Sequence, residues 1–270
     1  MSAKRIVLCA DDFGLSPGVS RGILELLEMG RLSATSCMVN YPEFPDDAQP
    51  LRVFRATADL GLHFSLTDLR PISSVALECH LRPPPFAVML DEVERQVDKF
   101  SNTMGFLPAY IDGHQHVHVL PVVRKAVVNV AKRIGAYLRI PRDPIGLAMW
   151  RRPAAFESIY LARASRAIGK SAREAGIPTN NGFRGVRTFR EKVPFAILFR
   201  QMITGADEGC LVMCHPGHSD GALAGRDPVR EQRAGERAYL AGAEFPRHLA
   251  EAGLVLSRLS DAIPNDFSRR

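Results

Sequence analysis

Residues 5–14 read RIVLCADDFG, an apolar run that ends abruptly in two adjacent carboxylates. The apolar part, from Arg5 to Ala10, predicts a short strand that is buried on both faces, as in a parallel sheet. Ser16 and Pro17 then predict the start of a helix, because serine caps helices and proline favours their first turn. A strand followed closely by a helix is the repeating unit of parallel α/β folds.

The same alternation continues along the chain. Further strands are predicted at residues 32–40, 59–67, 109–113, 136–140, 209–214 and 253–259. Further helices are predicted at residues 90–103, from 121 onward, at 156–175, 194–203 and 229–251. The segment 68–86, with three successive prolines, and most of 145–188 resist this assignment. The overall pattern favours a parallel sheet, open or closed.

Polar residues at the ends of five predicted strands favour a closed barrel, because β/α-barrel enzymes place their functional groups at the carboxyl ends of the strands. The first strand has no GxGxxG sequence after it, and no Walker sequence occurs, which argues against a nucleotide-binding doubly wound sheet. A chain of 270 residues suits one such barrel. We predict a single TIM-like β/α-barrel domain over residues 1–263 and a frayed tail at 264–270.

Composition limits the classes of partner. The formal charge is +6, but no run of five basic residues occurs, so a mildly basic surface is a better interpretation than nucleic-acid binding. The five cysteines show no CxxC spacing, which argues against a zinc ribbon or a disulfide framework. No apolar stretch is long enough for a membrane segment or a signal-peptide core. We expect a cytoplasmic protein.

The carboxylates of Asp11 and Asp12 have two interpretations. An isolated Asp-Asp pair is usually a turn. Here the pair directly follows a buried strand, so both carboxylates would crowd one pocket, and like charges in close quarters raise one pKa unless a cation intervenes. We therefore expect one carboxylate to bind a divalent metal ion and the other to act as a base.

The sequence DGHQHVH at residues 112–118 places three histidines at alternate positions. In an extended chain such residues share a face, so His114, His116 and His118 would point the same way as Asp112. The alternative is a solvated loop that begins at His114. We expect His114, nearest the strand, to be a ligand, with His116 and His118 as substrate-binding or supporting groups. One carboxylate and two imidazoles leave coordination positions for water and substrate.

Four further residues stand at predicted strand ends. His63 alone is more often a core histidine than a ligand. His215 follows an apolar strand and is predicted to be a proton donor, the alternative being the cap of a Pro-Gly turn. Arg139 and Arg142 either orient Asp11, hold a substrate oxygen or lie on the surface.

Four blocks of this sequence, in this order, resemble the YdjC family of carbohydrate deacetylases, which includes chitin-disaccharide deacetylase and hopanoid-biosynthesis-associated members. The blocks are ADDFGLS at 10–16, GLHFSLT at 61–67, DGHQHVH at 112–118 and VMCHPG at 212–217. The resemblance implies a distorted β/α barrel related to the polysaccharide deacetylases, with one bound Mg²⁺ or Zn²⁺. It also implies removal of the N-acetyl group from a small saccharide, with release of acetate.

Transferred position by position, the resemblance implies a complete set of site residues. The implied metal ligands are Asp12, His63 and His114; the implied base is Asp11 and the implied acid is His215. The chain departs from the chitin-disaccharide enzymes at Gly113 and Gln115, where those enzymes have a serine and a further histidine.

Two alternatives remain open. A metal-dependent phosphoesterase on a similar barrel would use more ligands, and the unassigned His116 and His118 leave room for it. A non-catalytic sugar-binding relative would be favoured by the loss of a site residue, and all of the expected ones are present. A homodimer is also plausible.

Overall fold

A computed structural model describes residues 3–68, 70–142, 155–190 and 192–262, with side chains described from 161 in the third range. The strands are β1 Lys4–Phe13, β2 Ala34–Cys37, β3 Asp59–Phe64, β4 Tyr110–Gly113, β5 Tyr137–Leu138, β6 Phe183–Arg184, β7 Cys210–Cys214 and β8 Leu254–Leu256. The helices are α1 Pro17–Glu28, α2 Phe44–Leu51, α3 Ile72–Leu81, α4 Phe86–Met104, α5 Pro121–Ile134, α6 Ala155–Ala175, α7 Phe195–Ile203, α8 Gly221–Ala224, α9 Glu231–Ala241 and α10 Glu244–Glu251. None of these helices combines the length and apolar composition that a membrane span requires. The predicted tail at 264–270 lies outside the described residues.

Strand β1 is the centre of one parallel sheet with the order β5-β4-β3-β2-β1-β7-β6, and β8 pairs with the first residues of β1. Its apolar run is continuous because both faces are buried. Ile6 and Leu8 pack in the outer core with the helices, whereas Val7 and Cys9 pack in a smaller inner cluster. Alternate side chains of a strand point to opposite faces, so a run without polar residues is what a strand between two apolar layers requires.

The two ends of the sheet come together. Leu138 of β5 forms an isolated parallel bridge with Thr179, just before β6, and its N–H donates to the Pro178 carbonyl at 3.0 Å. The sheet therefore curves round into a barrel, and the two-residue strands β5 and β6 make it a distorted one. The predicted α/β barrel is confirmed.

Several predicted boundaries need correction. Strand β2 covers only residues 34–37 of the predicted 32–40. The helix predicted at 229–251 is two helices, because Gly242 adopts an extended conformation between α9 and α10 (φ −74°, ψ 166°). The unassigned segment 68–86 contains α3, which begins directly after Pro71.

Candidate active site

The carboxyl ends of β1, β3 and β4 bring together the aspartates and histidines of three sequence blocks. In the sheet, His63 of β3 is paired with Asp112 of β4, and His114 directly follows β4. Asp12, His63 and His114 each offer one ligand atom, and these atoms lie within 4.8 Å of one another. The cluster is therefore a product of strand register.

An irregularity in β1 lets two adjacent carboxylates enter this region. Neighbouring residues of a regular strand point to opposite faces. Asp12 has a φ of +71°, and the pairing of β1 with β2 shifts register between Ala10 and Phe13. The normal alternation is therefore broken at the pair, and both Asp11 and Asp12 approach the Nε2 atom of His63, at 3.9 and 3.3 Å.

The distances within the cluster suit a metal ion. Asp12 Oδ1 lies 3.3 Å from His63 Nε2 and 3.0 Å from His114 Nδ1. Two ligands of one ion, each bound at ~2.1 Å, lie about 3.0–3.4 Å apart. Both distances from Asp12 therefore fit two ligands of a single ion.

Asp112 fixes the ring of His63. The Nδ1–H of His63 donates to Asp112 Oδ1 at 2.6 Å, and Ser36 donates to the other oxygen at 2.6 Å. Nε2 is therefore the nitrogen that faces Asp12, an arrangement typical of metal-binding histidines. Burial lowers the pKa of His63, but Asp112 and Asp11 outweigh it and raise the pKa to about 10. A metal ion that binds Nε2 would have to replace the proton that this raised pKa keeps on the His63 ring.

Arg139 lies between two carboxylates and is fully buried. Its Nη1 and Nη2 atoms donate to the two oxygens of Asp11 at 2.5 and 2.8 Å, and its Nε atom lies 2.7 Å from Asp112 Oδ2. Of the predicted alternatives, the geometry matches the orientation of Asp11. A second group also has metal-ligand spacing and consists of Asp11, His63 and Asp112. The positively charged Arg139 guanidinium already lies against both carboxylates of this group.

The histidine block is not extended, which corrects the predicted shared face. Residues 114–119 form a tight 3-10 turn, with positive φ at Gln115 (49°) and His116 (60°). His118 is fully buried, and its Nε2 atom donates to the Arg139 carbonyl at 3.0 Å. His116 is half-buried and its ring lies 5.8 Å from that of Phe183. Only His114 of the three reaches Asp12.

Two other predicted residues lie in different surroundings. Arg142 is exposed and lines a separate cavity of about 400 Å³ with Arg173 and Thr179, so the structure does not bring it to the carboxylates. His215 follows β7, and its ring meets Phe189 edge-on at 5.0 Å. Burial lowers the pKa of His215, while the negative charges of Asp12 and Asp11 act in the opposite direction.

The sequence predicted none of the contacts that α9 makes. Arg233 Nη2 donates to Asp12 Oδ2 at 2.6 Å, and Glu236 accepts the backbone N–H of His215 at 2.6 Å. Burial would raise the pKa of Asp12, but Arg233 and His114 hold it well below its usual range. No sequence signal marks these two residues, because α9 is an ordinary amphipathic helix that also carries the charged residues Glu231 and Arg237.

Comparison with known proteins places the chain in a family. The model of the family described as YdjC-like protein matches residues 5–251. A mouse carbohydrate deacetylase is 30% identical over 68% of this chain and 66% of its own length. A Serratia marcescens chitooligosaccharide deacetylase is 28% identical over 96% of this chain and 99% of its own length.

A solved structure shows the same fold. It is the crystal structure of an Enterococcus faecalis protein proposed to cleave cellobiose phosphate, which superposes with a TM-score of 0.71 at 19% identity and covers 97% of this chain and 100% of its own. At this identity the likeness concerns the fold alone. The family match over residues 5–251 decides the assignment, and this chain is a member of the YdjC-like family.

Proposed function

We propose that this protein is a metal-dependent carbohydrate deacetylase, which hydrolyses the N-acetyl group of a sugar and releases acetate. The observation that carries the proposal is that the ligand atoms of Asp12, His63 and His114 lie within 4.8 Å of one another, with Asp11 beside them. Relatives bear the names carbohydrate deacetylase and chitooligosaccharide deacetylase. A small saccharide of the chitooligosaccharide type is the proposed substrate.

The donor set fits a divalent ion such as Zn²⁺ or Mg²⁺. One carboxylate and two imidazoles would hold the ion and leave positions for water and substrate. When bound, such an ion lowers the pKa of a water molecule and polarises the acetyl carbonyl. The buried Asp112 and Ser36 keep the His63 ring in the orientation that this role needs.

Asp11 is the proposed general base. Its carboxylate is held by two hydrogen bonds from Arg139, so it cannot rotate away from the site. Its Oδ2 atom lies 3.9 Å from His63 Nε2, next to the proposed ligands. From this position Asp11 would accept the proton of the water that attacks the acetyl carbon.

His215 is the proposed general acid. Strand β7 is paired with β1, and Ala10 is in register with Cys214, so the next residues along the two strands are Asp11 and His215. The base and the acid therefore follow the last residues that are paired between β1 and β7. His215 would donate a proton to the sugar nitrogen as the amide C–N bond breaks, because without that proton the nitrogen would have to leave as a strongly basic amide anion.

The phosphoesterase alternative has less support. A second metal would need the group formed by Asp11, His63 and Asp112, and the Arg139 guanidinium lies against both carboxylates of that group. A second cation there would meet like charge at close range. The proposal therefore uses one ion.

The test is acetate release from N-acetylated chitooligosaccharides of two to five sugars. The protein is stripped of metal and resupplied with Zn²⁺, Mg²⁺, Mn²⁺ or Co²⁺, and metal binding is measured separately by calorimetry. We expect metal-dependent release that falls by about 100-fold or more in Asp11→Asn with metal binding retained, and loss of metal binding in Asp12→Asn. Metal binding without acetate release from any substrate would refute the deacetylase assignment.

A further inference from the structure

Helix α9 presents two buried charged side chains to the site, Arg233 and Glu236, which are 2% and 0% exposed. Residues three apart lie on the same face of a helix. Burying charged groups carries a large desolvation cost, and a protein in which apolar residues of similar volume replace a buried ion pair is often at least as stable. Stability alone therefore does not account for these two residues at this place.

We propose that Arg233 is a positioning residue that turns Asp12 so that a single carboxylate oxygen, Oδ1, faces the metal ion. The inference rests on the proposed function, since it takes Asp12 as a ligand. The two oxygens of Asp12 have separate partners. Oδ2 accepts from Arg233 Nη2 at 2.6 Å, whereas Oδ1 faces the nitrogens of His63 and His114 at 3.3 and 3.0 Å.

The backbone of Asp12 explains why an external anchor is needed. Its φ of +71° is a conformation that residues with a side chain rarely adopt. The side chain leaves an irregular part of β1, where the pairing with β2 is interrupted. A carboxylate in such a segment has no regular ladder to fix its direction, and the Arg233 guanidinium supplies that direction.

Arg233 is itself firmly held. Its Nε donates to the Val229 carbonyl one turn earlier at 3.0 Å, and its Nη2 also contacts Asp227. The guanidinium is therefore fixed to α9 and the turn before it, and cannot follow Asp12 if the carboxylate moves.

The same turn of α9 holds the segment that carries the proposed acid. Glu236 Oε2 accepts the His215 N–H at 2.6 Å, and the Arg233 carbonyl accepts the Gly217 N–H at 3.2 Å. Asp12 and the backbone of His215 are thus both hydrogen-bonded to side chains of α9. Through these two contacts, α9 sets the distance between Asp12, the proposed metal ligand, and His215, the proposed proton donor.

The test compares Arg233→Met and Arg233→Lys with the wild-type protein loaded with Co²⁺, whose visible absorption reports coordination number. Metal affinity is a poor readout, because loss of the Arg233 guanidinium removes both its charge repulsion toward the metal ion and its orientation of the Asp12 carboxylate, and these two changes act on affinity in opposite directions. In Arg233→Met, Asp12 can offer both oxygens, so we expect a changed Co²⁺ spectrum and a kcat per bound Co²⁺ that falls about 10- to 100-fold. KM should stay within about twofold, because the change lies at the reacting centre. Lysine should restore the spectrum in part.

The control is Arg226→Met, which removes a half-buried arginine that pairs with Glu43 and should leave both readouts unchanged. An unchanged spectrum and unchanged kcat per bound Co²⁺ in Arg233→Met would overturn the inference and leave Arg233 a structural residue. A changed spectrum in a protein that releases no acetate would support the inference while the deacetylase assignment fails. A wild-type protein that binds no Co²⁺ would overturn both.

Discussion

The ring of His118 is fully buried, and its Nε2–H donates to the Arg139 carbonyl. Burial lowers the pKa of this ring from an ordinary 6.5 to about 4. In the unfolded chain the ring takes up a proton near pH 6.5, so between these two values the unfolded state binds more protons than the folded one. The stability that the neutral ring contributes is complete above pH 6.5 and is lost as the pH falls toward 4.

The variant that tests this is His118→Gln, whose amide can donate in place of Nε2 but does not titrate. Between pH 7.5 and 4.5 we expect the wild-type free energy of unfolding to fall by about 2–3 kcal/mol more than that of the variant. Urea denaturation at a series of pH values measures the difference. His80→Gln on the exposed side of α3 is the control, and equal acid losses in wild type and His118→Gln would contradict the prediction.

Asp112 acts on the proposed metal through His63, because it accepts the Nδ1–H of that ring at 2.6 Å. Replacement of such a partner typically costs 10- to 100-fold in metal affinity, so we expect about this loss of Zn²⁺ affinity in Asp112→Asn. A competition titration with a chelator measures it. Asp59→Asn, which changes a buried carboxylate at the opposite end of β3, is the matched control. Equal affinities in the two variants would show that Asp112 has no such role.

Sequence blocks could predict which residues meet, but not how they are oriented. Asp12, His63 and His114 could be placed together because each follows or ends a strand. The turn at residues 114–119 could not be predicted, since two residues other than glycine adopt positive φ there. The partner of Asp12 on α9 is 221 positions away in the chain, and only the packed barrel brings it close.

At the scale of single elements, close packing between strands makes one glycine indispensable. A Cβ at Gly61 of β3 would lie 2.3 Å from the Tyr110 ring, which is fully buried and stacked on Tyr137 at 4.9 Å. We expect Gly61→Ala to lower the free energy of unfolding by about 3 kcal/mol, because the ring has no space to move. Guanidinium denaturation measures this.

Replacement of a glycine in α9 by alanine should instead raise the free energy of unfolding. Gly235 is exposed, and a Cβ there would meet no atom within 4 Å. Alanine in a helix interior is more stable than glycine by about 0.5–1 kcal/mol, so Gly235→Ala should stabilise the protein by this amount. The same denaturation experiment applies, and a loss of stability in both alanine variants would contradict the packing argument.

Local patterns predicted every strand of the described residues except β6, but they missed the helices α2, α3 and α8. Strand β1 was predicted at 5–10 from its apolar run, and the observed strand continues to Phe13. The start of helix α1 was predicted correctly because the Ser16 cap is a local signal, and Ser16 does accept the Val19 N–H. Strand β5 lies inside the strand predicted at 136–140, whereas β6 has only two residues, too few for any periodicity, and lies in the segment that resisted assignment. The break between α9 and α10 depends on packing, since α10 contacts both α7 and β8.

At the scale of the whole molecule, the barrel depends on how its two shortest strands are joined. β5 and β6 share no ladder, and the buried Asn180 side chain connects their ends. Its Oδ1 atom accepts the Ile140 N–H at 2.7 Å, and its Nδ2 atom donates to the carbonyls of Ile140 and Gly182 at 3.1 and 2.7 Å. One amide side chain thus replaces the missing backbone pairs next to Arg139.

Asn180→Ala should therefore open the barrel between β5 and β6. The variant leaves the Ile140 N–H unpaired in a buried position, so we expect a loss of about 3 kcal/mol in the free energy of unfolding. Hydrogen exchange at the Ile140 amide should accelerate more than at β1, because the opening is local. Asn181→Ala is the matched control, since the side-chain amide of Asn181 is exposed and donates to the Glu208 carbonyl. If Ile140 exchanges at the wild-type rate in Asn180→Ala, the barrel is closed by other contacts.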